Sequence, residues 1–147
     1  MANSRYQVEV EKHLRTHYLS KYFDQGFRVA KLPLSSGETF EFDAFSDEGE
    51  IVVFISTSTG KTLSGKFAAG KVQKIRADML FLLMTQAKQR IILFTEADMY
   101  QIFLNEKDKG RVPQEIEFLH AEIPVEIARK LKAVRQLASD EVSPVQR

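Results

Sequence analysis

A chain of 147 residues, 44% hydrophobic and 28% charged, is long enough for one domain with a sizeable core and excludes a largely disordered protein. Twenty-one basic against 20 acidic residues leave a net charge of +1, so overall charge names no partner. Zero cysteines exclude disulfides and thiolate metal sites; with no signal-like N-terminus and no apolar run near the ~20 residues that cross a bilayer, the expectation is a cytoplasmic protein without a membrane partner.

Residues 4 to 23 read as a helix, with Ser4 as N-cap and Tyr6, Val10, Leu14, His17 and Tyr18 on one stripe, ending near Asp24-Gln25-Gly26. Phe27 to Leu34 reads as a strand that Pro33 closes. Thr39 to Thr57 reads as a β-hairpin around Asp47-Glu48-Gly49. Its first strand alternates Phe40 and Phe42 with Glu41 and Asp43, whereas Ile51 to Ile55 is continuously apolar.

A loop-forming stretch from Ser58 to Gly65 leads to a long helix predicted from about Lys66 to Ala87, with Ala68, Val72, Ile75, Met79, Leu82 and Leu83 as its core stripe. Arg90 to Phe94 is a short strand, and Thr95 to Asp98 resembles a capping box opening a helix to about Asn105. Ile116 to His120 is the last predicted strand, and Pro124 starts a helix to about Ala138, with a polar tail from about residue 139. Strands joined through a helix need a crossover, so the expected class is a single α/β domain over residues 1–147, a mixed sheet flanked by helices.

The hairpin, with the glutamate-bearing first helix before it and the helix and strand after it, resembles the PD-(D/E)XK nuclease superfamily over about residues 5 to 105. The resemblance implies a restriction-endonuclease-like αβββαβ core, here with a C-terminal strand-helix addition. It also implies a Mg²⁺ or Mn²⁺ site in which an aspartate on one strand and a Glu-x-Lys on the next act on a phosphodiester. Asp43 matches the aspartate. Counting along the second strand puts the Glu and Lys positions at about Phe54 and Ser56, and neither side chain performs that role. A rearranged site draws on Asp43 and Glu41 as metal ligands, Glu11 from the first helix, and Lys61, Lys71 or Lys74 as the displaced cation. The bland alternative makes Glu41 and Asp43 polar residues of a partly exposed strand face.

Charge is segregated along the chain. Glu38 to Glu50 holds six acids and no base; Ile51 to Ala77 holds five bases, Lys61, Lys66, Lys71, Lys74 and Arg76, and no acid. Such a run tracks a phosphate backbone or simply solvates a helix face. Gly60-Lys61-Thr62 is not a P-loop, because Ile55 stands where the leading glycine belongs. His13 and His17 share an i, i+4 spacing without the intervening glutamate of a zinc motif, and no nucleophile elbow is present, which leaves acyl transfer without a signal.

Three readings follow. The first is a catalytically degenerate nuclease-fold protein that binds nucleic acid, with no cofactor. The second is an active Mg²⁺- or Mn²⁺-dependent nuclease with a rearranged site. The third is a protein-interaction or oligomerisation module, for which Ile127, Leu131, Val134 and Leu137 are equally suited to cover the core or a twin subunit in a homodimer.

Overall fold

The computed structural model describes residues 4–129 and residue 133. The chain begins with a continuous helical stretch: α1 over Ser4–His13, a π-helical segment over Leu14–Leu19, and α2 over Ser20–Phe23. Val10, Leu14 and Leu19 are fully buried. Leu14 and Leu19 are five residues apart, and the wider i→i+5 winding returns both to the sheet where α-winding would rotate one away. Hydroxyl groups assist the change, with Thr16 Oγ1 donating to the Lys12 carbonyl at 2.8 Å and Ser20 Oγ to the Arg15 carbonyl at 2.7 Å. The stretch stops where expected, at Asp24, whose φ of 53° is left-handed. The side chain of the expected N-cap, Ser4, lies outside the described residues.

Strands β1 (Phe27–Pro33), β2 (Thr39–Ser46), β3 (Ile51–Ser56), β4 (Gln89–Phe94) and β5 (Ile116–His120) form one sheet in sequence order. The first three pair antiparallel, and β3, β4 and β5 pair parallel. Helices α3 (Ala69–Leu83) and α4 (Ala97–Asp108) are the crossovers that parallel pairing requires. Gly49, at φ 77°, closes the β2–β3 turn. The expected α/β class is thus present as a five-strand mixed sheet flanked by helices.

The sheet separates two cores. On one face α3 and α4 cover Phe42, Val52, Phe54, Ile92 and Phe94; on the other α1 and the π-helical segment cover Ala44, Val53, Ile55, Ile91 and Leu93. Covering on both faces explains why β3 and β4 are apolar without alternation. Ile127 packs against the second core, while Leu131, Val134 and Leu137 lie outside the described residues. Residues 125–129 and 133 are helical; the remainder of the helix expected to Ala138 and the tail from 139 also lie outside them.

Some element bounds differ from expectation. The helix predicted from Lys66 to Ala87 runs from Ala69 to Leu83; it starts late because residues 61–67 form a small hairpin of their own, with Lys61 bridged antiparallel to Phe67. The capping box at Thr95–Asp98 is not formed: Glu96 is the N-cap and makes no side-chain cap bond, and Asp98 instead accepts the Gly60 N–H at 2.8 Å.

Candidate functional site

The site originates in an irregularity of β2. Arg28 pairs with Phe45 and Ala30 with Phe42, so the single residue Val29 stands opposite both Asp43 and Ala44. This is a β-bulge, and it slips the alternation of β2 by one residue. Phe42 and Phe45 therefore face α3 together, while Ala44 enters the opposite core.

The bulge also ends the pairing of β2 with β3. Only Ala44 with Val53 and Phe45 with Val52 are in register. Beyond them the strands part, and the Asp43 carboxylate takes the place of a ladder carbonyl, its Oδ2 accepting the Ile55 N–H at 2.8 Å. Arg15 Nη1, from the π-helical segment, donates to the Asp43 carbonyl at 2.8 Å and fixes the bulge to the helix above it.

Where the strands part, side chains from helices on opposite faces meet. A cleft of about 320 Å³ is lined by Glu11 of α1, Asp43 of β2, Ser56 of β3, and Lys71, Lys74 and Asp78 of α3. It lies at the carboxyl end of β3, the end at which open α/β sheets characteristically bind ligands. Lys74 Nζ is 3.4 Å from Asp78 Oδ2.

The electrostatics are those of acids short of countercharge. Burial raises the Glu11 pKa to about 7, reinforced by the Asp43 charge and opposed by Arg15 and Lys74. Burial raises Asp78 to about 6 against the attraction of Lys74. Asp43 is also raised by burial, with the Ile55 N–H, Lys74 and Arg15 pulling the other way.

Of the candidate residues named from sequence, Asp43 and Glu11 line the cleft together, as do Lys71 and Lys74. Glu41 is exposed on β2 opposite Lys31 of β1, outside the cleft lining. Lys61 is exposed in the 61–67 hairpin, and Lys66 with it. Arg76 is turned away to Glu106 and over the Phe103 ring.

The register expected for β3 is corrected. Phe54 does not share Asp43's surroundings: its ring packs 4.8 Å from Phe42 and 6.0 Å from Phe40, in the α3-side core. The bulge is the cause, because simple alternation from Asp43 places every later residue one step out of phase. Asp78 was missed, although a signal existed. Lys71, Lys74 and Asp78 are spaced 3 and 4 apart, one helical stripe beside the core stripe of Val72, Ile75 and Met79. The rings of His13 and His17 lie 4.8 Å apart, tilted by 37°.

Glu11, Asp43 and Asp78 are hard oxygen donors of the kind that Mg²⁺ and Mn²⁺ take. Their spacing does not match, because among the described residues no group of three or more His, Asp or Glu side chains stands close enough to hold an ion. No described helix is long and apolar enough to cross a membrane. No family model matches the chain, and neither a curated protein nor a solved structure matches it.

Proposed function

We propose that this chain binds nucleic acid, on a restriction-endonuclease-like architecture, with the phosphate backbone running past the mouth of the Asp43 cleft. The element order supports that architecture: a helix, three antiparallel strands, a crossover helix and a parallel strand. The observation that carries the binding reading is the division of labour among the five bases of residues 51–77. Arg76 is committed to Glu106 and Lys74 to Asp78, but Lys61, Lys66 and Lys71 are exposed and no described acid pairs with them. Lys71 lines the cleft itself, and the other two stand on the hairpin leading into α3. Three exposed cations, with no acid between them in sequence, suit successive phosphates.

Titration of labelled duplex, branched and single-stranded DNA at several salt concentrations tests the proposal. The expected result is binding that weakens linearly in log–log form as salt rises. No binding tighter than about micromolar at low salt ends it.

A second reading, divalent-cation-dependent cleavage, is favoured by one observation: three carboxylates and two lysines line one cleft and no phenyl ring occupies it. Incubation of plasmid with Mn²⁺ and either the wild-type protein or Asp43→Ala decides this reading. Cleavage by the wild type alone supports it, and equal cleavage by both means contamination.

A further inference from the structure

We infer that the 61–67 hairpin is a stacking platform for unpaired bases, so that the nucleic acid taken by this chain is single-stranded beside Phe67; this rests on the nucleic-acid reading above.

The hairpin is an organised element. Lys61 pairs with Phe67, the Thr62 N–H donates to the Lys66 carbonyl at 2.7 Å, and the Gly65 N–H to the Thr62 carbonyl at 2.9 Å. Gly65 supplies the turn at φ 83°, and Thr62 Oγ1 accepts the Lys66 N–H at 3.2 Å. Its base is fixed to the body of the protein: the Ala68 N–H donates to the Gly60 carbonyl, and the Gly60 N–H to Asp98 of α4. A Cβ at Gly60 would lie 2.5 Å from Ile102 Cδ1, so the base sits hard against α4.

Yet this element adds nothing to either core. Phe67 is 60% exposed and Leu63 55%. Ordering a backbone only to hold apolar side chains in water is unfavourable for the isolated fold, and such a projection marks a contact surface. The chemistry around it defines the partner. Directly paired residues of a hairpin share a face, which puts Lys61 and Phe67 on the same side of it.

Beside Phe67 a recess of about 590 Å³ is lined by Ala69, Gly70, Lys71 and Lys74. A Cβ at Gly70 would meet nothing within 4 Å, so the recess is open at that point. An exposed aromatic ring, an open recess and the lysines that line it match a chain of alternating planar bases and phosphates. Bases paired in the interior of a duplex present only their edges and cannot stack there. Because the recess shares Lys71 and Lys74 with the Asp43 cleft, one strand spans both.

The test is fluorescence anisotropy with fluorescein-labelled oligothymidine and with a blunt duplex of equal length, on wild type, Phe67→Ala and Phe67→Trp. Loss of one base stack is worth ~1–3 kcal/mol, so Phe67→Ala is expected to weaken oligothymidine binding roughly 5- to 150-fold and leave duplex binding unchanged. The chain has no tryptophan, so Phe67→Trp introduces a single reporter, expected to keep the affinity and to be quenched by oligothymidine. Equal oligothymidine binding by wild type and Phe67→Ala overturns the inference alone, since the nucleic-acid reading still stands on that binding. Failure of the wild type to bind either DNA overturns both. Binding to phosphatidylserine vesicles that Phe67→Ala abolishes, without DNA binding, assigns the hairpin to a membrane surface and likewise overturns both.

Discussion

Asp43 and Ile55 are joined by one hydrogen bond, carboxylate Oδ2 to main-chain N–H at 2.8 Å, at the point where β2 and β3 stop pairing. The side chain substitutes for the sheet where the sheet gives out. The same carboxylate borders the cleft with Glu11, Lys74 and Asp78, so the residue that ends the ladder also shapes the site.

That bond sets the response of position 43. Asp43→Ala leaves the Ile55 N–H without its acceptor and is expected to cost about 1–3 kcal/mol in urea unfolding. Asp43→Asn retains an acceptor and removes a charge that burial disfavours, so its stability at neutral pH is expected to match or exceed the wild type. Equal losses in the two variants would show that charge, and not the hydrogen bond, is what matters there.

Glu11 predicts a pH dependence of defined sign. Its folded pKa of about 7 lies above the ordinary 4.5, so between those values the unfolded chain has released a proton that the folded protein keeps. Unfolding then releases protons, and stability falls as pH rises through this window. The shift of Asp78, from 3.8 to about 6, acts in the same direction at lower pH. Glu11→Gln is expected to flatten the decline between about pH 5 and 8 and, allowing for solvent screening, to be about 1 kcal/mol more stable than wild type at the upper end. Unfolding free energies measured across that range provide the check.

Two phenylalanines on opposite sides of the site should behave very differently. Phe42 is wholly buried and packs on the rings of Phe40 and Phe54, so Phe42→Ala is expected to cost roughly 3–5 kcal/mol. Phe67 projects into solvent, and Phe67→Ala is expected to stay within about 0.5 kcal/mol of wild type. Thermal denaturation of the two variants separates the core ring from the contact ring.

The basic residues divide in the same way. If nucleic acid binds as proposed, replacing Lys61, Lys66 and Lys71 together with alanine should reduce the slope of log affinity against log salt by about three and leave stability unchanged. Arg76→Ala should leave the slope intact and cost about 1 kcal/mol of stability, because its guanidinium serves Glu106 and Phe103. Salt titrations and melting curves on the two variants distinguish these roles.

Much of the fold was legible in the sequence. The helical span of residues 4–23, the hairpin turn at Gly49, the unbroken apolar run of Ile51 to Ile55 and the crossover helix follow from periodicity and turn chemistry, which neighbouring residues determine among themselves. The predicted stripe of the first helix held at Val10 and Leu14, but His17 is exposed and Leu19 is buried in its stead, because the π-helical winding shifts the buried face. The candidate site was half legible. Glu11, Asp43 and Lys74 stood out by type and position, whereas Asp78 lay one residue beyond the basic run that drew attention to its helix.

By itself, then, the sequence determined the elements, their order and the α/β class, because each depends on local period and propensity. Tertiary structure alone decided three further things. The bulge at Asp43 and Ala44 slipped the phase of β2 and sent Phe54 into the core beside Phe42. The parting of β2 from β3 let Glu11 and Asp78 meet from opposite faces of the sheet. The 61–67 segment closed on itself and left Phe67 in water. A one-residue slip changes no local preference enough to be read along the chain, but it reverses which face every later side chain occupies; only packing against both helices fixes the choice.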